Sequence, residues 1–288
     1  MYQRLLLFLF FILACLSATA QDTGKEMVRL ATLLQKGESD SIRLHANAAF
    51  KSLLKEYLEK NAAPEVNLPD SLKTISLLVA PDKTFRIASW IVPSTDQGHT
   101  SYFGFLQRFD KKKGTAILVE LFDVSDTLQN PQSARLKENT WYGAVYYHIE
   151  ARKKSGKLYY TLLGWKGNDR RTTKKVIDVL WFSKDKVFFG YPHFKMGKTY
   201  QQRVIFEYTA SASMALRFEE KENLIVFDHL SVPSNIPGGE GNMAQFMGPD
   251  GTYDALEFKK GRWNLLKDID IGTNWKPKKN VPKPPEAQ

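Results

Sequence analysis

The 288-residue chain contains a single cysteine, Cys15. It therefore cannot build a disulfide framework or a thiolate metal site, and a cut beyond Cys15 leaves no thiol at all. The five histidines, His45, His99, His148, His193 and His229, are dispersed, and no two fall at i, i+2 or i, i+4. No local metal motif exists, and no metal or cofactor is expected. G-x-S-x-G, the P-loop and G-x-G-x-x-G are all missing, which leaves hydrolase-elbow, nucleotidase and dinucleotide readings without support. Ser52-Leu53-Leu54-Lys55 fits S-x-x-K, but neither S-D-N nor K-T-G follows it.

The chain opens with the pattern of an export signal. Arg4 supplies the positive start, Leu5 to Leu16 the apolar core, and Ala18-Thr19-Ala20 a small-x-small site ahead of Gln21. That core is too short to span a bilayer, so no transmembrane helix is expected in the mature chain. The expectation is a periplasmic or secreted protein with residues 1–20 removed. The alternative is a lipoprotein, because Ile12-Leu13-Ala14-Cys15 loosely matches a lipidation box that would anchor Cys15.

Lys and Arg number 41 against 31 Asp and Glu, a net charge of +10. Many of the cations cluster at expected turns: Lys111 to Lys113, Arg152 to Lys154, Arg170-Arg171 with Lys174-Lys175, and Lys259-Lys260. One reading is a patch for an anionic polymer; the other is lysine-rich turns kept soluble.

Apolar spacing divides the chain. Met27, Leu30, Leu33 and Leu34 repeat at helical intervals up to Gly37, and Ser39-Asp40-Ser41 offers caps for a second helix ending before Pro64. From Leu72 the pattern becomes strands of β-branched and aromatic residues broken by turn signals. Many strands are apolar on both alternating sets, so both sheet faces must be covered. The expected architecture is α+β but mostly β. A 21–64 helical segment leads a 72–272 antiparallel meander that is sandwich- or barrel-like, with a propeller-like alternative, and 273–288 forms a Pro/Lys-rich tail. Pro233 to Asn242 reads as a loop.

Few residues invite chemistry. His148 and Glu150 share a strand face beside Tyr146, where a carboxylate could orient an imidazole. Asp169, in a Gly167-Asn168-Asp169 turn signal, is a third catalytic candidate. Asp228-His229 are adjacent and should project to opposite faces unless the strand bulges. Gly248 to Asp254 faintly resembles a calcium loop, yet Pro249-Asp250-Gly251 is first a turn signature. Trp141, Tyr142 and Tyr146, with Trp165 and Arg170, are candidate ligand contacts for a sugar-stacking platform; the competing reading is core packing.

The segments YYTLLGWKGNDRRTTKKVID (Tyr159 to Asp178), RVIFEYTASASMALRF (Arg203 to Phe218), IVFDHL (Ile225 to Leu230) and GPDGTYDALEFKKGRW (Gly248 to Trp263) resemble a family of uncharacterised exported bacterial proteins. The likeness covers roughly the C-terminal half. It implies export and a single architecture, and it brings no activity, cofactor or site residue. The expected role is a non-enzymatic envelope scaffold that binds a protein or an anionic envelope polymer, with no specific nucleic acid. Alternatives are a glycan or ester hydrolase using His148 and Glu150, and a carrier of a small apolar ligand.

Overall fold

The computed structural model describes residues 22–96, 98–110, 112–234, 236 and 243–270. The expected leader, Cys15, most of the Pro233–Asn242 loop and the tail from Trp275 lie outside these residues. Helix α1 covers 22–36 and α2 covers Asp40–Lys60. The first buries Met27, Leu30, Ala31 and Leu34, and the second buries Ala46, Phe50, Leu54 and Leu58, so each presents one apolar stripe. Gly37 accepts the stop, its N–H donating to Leu33 O at 2.8 Å. Ser39 caps α2, its side chain accepting from the Ile42 amide.

Among the described residues sixteen strands follow in three sheets. The first sheet runs β1 (Ser76–Val79), β2 (Phe85–Pro93), β3 (Thr100–Asp110) and β4 (Thr115–Phe122) in sequence order. The middle sheet is ordered β5 (Leu136–Lys137), β9 (Lys186–Phe189), β8 (Thr172–Ser183), β7 (Lys157–Gly167) and β6 (Val145–Lys154). β12 (Val204–Thr209) adds to β8 beside β9. The third sheet is β11 (Thr199–Gln201), β10 (Phe194–Met196), β16 (Arg262–Leu266), β15 (Gly248–Lys259), β14 (Leu224–Ser231) and β13 (Leu216–Glu219). Among the described residues no barrel closes; the helices and three sheets stack as layers of a sandwich.

Three apolar cores separate the layers. Phe50, Leu54 and Leu58 of α2 meet Ala88, Trp90, Val92 and Phe105. The opposite face of the same sheet, with Phe85, Ile87, Leu106 and Leu121, meets Tyr146, Tyr160, Leu162, Val176 and Leu180. The far face of the middle sheet, with Tyr159, Leu163, Ile177 and Val179, meets Leu216, Ile225, Phe227, Leu256 and Trp263. β2, β7 and β8 are thus covered on both sides, which is why both alternating sets of these strands are apolar.

Buried polar groups pin the layers in register. Arg86 in β2 donates to Gln107 Oε1 and Val66 O, both at 2.7 Å, and to Asn61 O at the end of α2. A guanidinium there satisfies carbonyls that a helix end leaves orphaned. Trp90 Nε1 donates to Asn47 Oδ1 of α2 at 2.8 Å. At the waist, Arg203 Nε donates to Asp178 Oδ2 at 3.0 Å, and both side chains are fully buried.

The meander departs from sequence order in two respects: β5 lies beside β9 instead of β6, and the strands after β9 alternate between sheets. The chain leaves the middle sheet after β9, lays β10 and β11 on the third sheet, returns with β12, then goes back. β10 pairs β16 in parallel. β5, β10 and β11, two or three residues each, are too short to carry a period-2 signal.

Candidate functional site

Strand register sorts the connections between two ends of the stack. Phe85 pairs Arg108, and Asp110 pairs Thr115, so the β1–β2 and β3–β4 turns lie side by side. Lys154 pairs Lys157 and Ser183 pairs Lys186, which brings the β6–β7 and β8–β9 turns to one end of the middle sheet. Glu219 pairs Leu224 and Lys259 pairs Arg262, and this does the same for β13–β14 and β15–β16. Contacts between layers join the three sets. Arg108 Nη1 donates to Lys184 O at 2.6 Å, Tyr160 OH donates to Asp82 Oδ2 at 2.7 Å, and Gly261 lies against the Lys154 side chain.

All six turns therefore share one end, and each carries lysine. Lys83, Lys112, Lys113, Lys153, Lys157, Lys184, Lys186, Lys221, Lys259 and Lys260 are exposed there. Two carboxylates of this end are used locally: Asp82 by Thr84 and Tyr160, and Asp110 by the amides of Lys112 and Lys113. Glu220 and Glu222 offset the cation of the β13–β14 turn, Glu65 pairs Lys83 at 2.9 Å, and Asp185 stands 3.6 Å from Arg108 at the β8–β9 turn, so positive charge concentrates on the β3–β4, β6–β7 and β15–β16 turns. Behind the turns lies an aromatic bed: Arg152 sits over Phe218, Phe258 and Trp263, Lys154 over Tyr191, and Arg262 over Tyr200.

Beneath these cations His193 is fully buried, ringed by Tyr159, Tyr191 and Phe258, and neither ring nitrogen has a hydrogen-bond partner. Burial drives its pKa down to about 3, with Lys154 and Arg262 adding to the effect.

Of the residues nominated from sequence, the structure brings His148 and Glu150 together but holds Asp169 at the opposite end. A register shift between Tyr146 and His148 interrupts the alternation. Tyr146 therefore turns into the core between the first two sheets, whereas His148 stacks on Phe218 of the third, which corrects the expectation that Tyr146 lies beside the His148–Glu150 face. His148 Nε2 stands 3.6 Å from Glu150 Oε2, and Arg152 takes the other carboxylate oxygen. Asp169 belongs to the opposite end. Its Oδ1 accepts the amides of Arg171 and Thr172 at 2.7 and 2.8 Å, shaping the β7–β8 turn. Glu150 pairs Thr161, six residues short of the end of β7, so roughly 20 Å of strand separates the two carboxylates.

Trp141 and Tyr146 are fully buried, joined by Trp141 Nε1 donating to Tyr146 OH at 2.9 Å, and Tyr142 is 3% exposed. These rings serve the core and offer no face to a sugar. Trp165 is half-buried, and Arg170 donates from Nε to Asp96 O at 2.6 Å. Asp228 and His229 take different partners: Asp228 accepts from the Ala215 amide, and His229 Nδ1 meets Asp254 Oδ2 at 2.8 Å. The bulge at this point also turns Leu230 onto the core that holds Ile225 and Phe227. The Gly248–Asp254 stretch is strand β15, in which Asp250 accepts from the amide and hydroxyl of Thr252. Among the described residues no group of three or more His, Asp or Glu side chains could hold a metal ion.

The opposite end holds a group that the sequence reading passed over. Lys166 lies in phase with Tyr160 and Leu162, so its side chain points toward the first sheet and is 5% exposed. Its ammonium donates to Ser125 Oγ at 2.8 Å and Gly143 O at 2.9 Å, under the Tyr102 ring at 3.7 Å. The available signal was a lysine on the core-facing register of an otherwise apolar strand. Lys175 repeats it, in phase with Ile177 and Val179, 3% exposed beside the Tyr147 ring.

Comparison with protein-family models, with curated proteins and with solved structures gives no match for this chain.

Proposed function

We propose that the protein is an exported, non-enzymatic β scaffold that binds an anionic envelope polymer through the lysine-bearing turns at one end of the stack. The leader-like start supports export, and either cleavage after Ala20 or acylation of Cys15 is consistent with a periplasmic or secreted site of action. No helix among the described residues is long and apolar enough to cross a membrane. One observation carries the binding reading: hairpins far apart in sequence, from Lys112 to Lys260, turn at the same end with exposed lysines. Charges gathered on one face add their potentials at a polymer that spans several turns, whereas lysines spread over the whole surface would not. The aromatic bed beneath holds the turns rigid, so little ordering is lost on binding.

The test is titration of a fluorescent long-chain polyphosphate at about 50 and about 200 mM salt. Binding should weaken by at least about tenfold with salt, and the variant K157E/K186E/K260E should weaken it by about as much again at low salt. A matched reversal at the other end, R170E/R171E, should leave affinity within about twofold. Equal losses from the two reversals, or no binding at the lower salt, would overturn the proposal.

A further inference from the structure

We propose that Ser125 and Lys166 form a serine–lysine pair at the opposite end of the stack, able to take the acyl group of a small activated ester. This site is independent of the basic turns. Ser125 is half-buried at the start of a short 3-10 turn that follows β4, and its Oγ accepts a 2.8 Å hydrogen bond from an almost wholly buried amine. A hydroxyl that water can reach, paired with an amine that water barely reaches, is the arrangement that nucleophile activation requires.

The surroundings fix both partners. Asp123 Oδ1 accepts the amides of Ser125 and Gly143 at 3.0 and 2.8 Å, which holds the hydroxyl against the amine. Its Oδ2 forms an ion pair with Lys166 Nζ at 3.8 Å. The charged groups facing the amine are Asp123 and Asp126, which favour the ammonium, and Lys174 on β8, which opposes it; His99 approaches Asp126 at 3.7 Å. Burial outweighs the carboxylates and brings the Lys166 pKa down from 10.5 to about 8, so a usable fraction of free amine exists near neutrality.

The step balances without a cofactor. Ser125 Oγ adds to the ester carbonyl as its proton passes to Lys166 Nζ. The bond to the leaving alcohol then breaks, and the alcohol departs with that proton. Water hydrolyses the acyl-serine, releasing the carboxylic acid and restoring the hydroxyl.

The experiment exposes the full chain to a fluorophosphonate, which forms a phosphorus–oxygen bond to an activated serine with loss of fluoride, and maps the adduct by peptide mass. One adduct on Ser125 is expected, absent in S125A, with a labelling rate that climbs between about pH 6 and about pH 9. K166R keeps a cation and hydrogen-bond donors but cannot accept the proton, and should slow labelling about a hundredfold. No adduct on Ser125, or labelling indifferent to K166R, overturns the proposal. If K166R fails to fold, the wild-type profile decides: a rate flat across that pH range overturns it.

Discussion

The two ends of the stack are built by different rules. At the basic end the connections are two- to five-residue hairpin turns, and the β3–β4 and β6–β7 tips touch little: Gly114 and Gly156 have positive φ and open space around them. At the other end the connections lock together across layers. Arg170 holds the Asp96 carbonyl, Tyr102 OH donates to Gly167 O, and Lys166 with Asp123 ties the 123–126 turn to Gly143. The contrast separates presentation from retention. Charge is displayed where backbone is cheap to expose, and buried polar clamps gather where long connections must be held.

That division depends on the waist between the ends, and breaking the waist should have the largest effect. Arg203 supports Asp178 in full burial and also donates to Ala134 O at 3.1 Å and to Pro131 O. R203M would strand a buried carboxylate and two carbonyls, and should cost about 3–5 kcal/mol in urea unfolding. D178N/R203M, which removes the charge from both partners, should recover part of that loss. Equal destabilisation by the single and double variants would mean that the pair is not what holds the waist.

The layered architecture was legible because two apolar sets per strand demand two covering layers, and because helical spacing before Pro64 differs visibly from alternation after Leu72. The longer strands after Leu72 were legible for the same local reason, as were the lysine-rich turns, whereas β5, β10 and β11 were not. That the turns meet at one end was not. It depends on how sheets stack, and no local pattern encodes which face of β7 meets which neighbour. Tyr146 was misplaced beside His148 and Glu150 because a bulge moves every side chain beyond it, and nothing in Val145 to Glu150 announces one. The Trp141 and Tyr146 rings were ambiguous in principle, since an aromatic beside polar residues reads alike in a core and on a platform.

The basic end can be sharpened through pH. With a folded pKa near 3 against an ordinary 6.5, His193 stays neutral in the fold while the unfolded chain takes up a proton. Its contribution is complete above about pH 6.5 and is lost as pH falls toward the folded value, at up to about 1.4 kcal/mol per pH unit. Between about pH 6 and about pH 4 this is on the order of 2–3 kcal/mol. H193F keeps the aromatic packing and should flatten the stability profile over that interval. A variant as acid-sensitive as the parent would remove His193 from the account.

The smallest effects test the contrast most directly, by adding one methyl group at each end. A Cβ at Gly143 would sit 2.4 Å from Tyr102 Cβ and 2.6 Å from Asp123 Cγ, inside the clamp. G143A should therefore cost about 1–3 kcal/mol through overpacking, and it should disturb Ser125 as well. Gly156 meets no atom within 4 Å; its obstacle is a φ of +76° alone. G156A should cost only about 1 kcal/mol, the strain of a side chain in the left-handed region. Thermal unfolding of the two variants should rank them in that order, with polyphosphate affinity unchanged in G156A because no cation moves. A reversed ranking would mean that the hairpin end, not the clamped end, sets the rigidity of the stack.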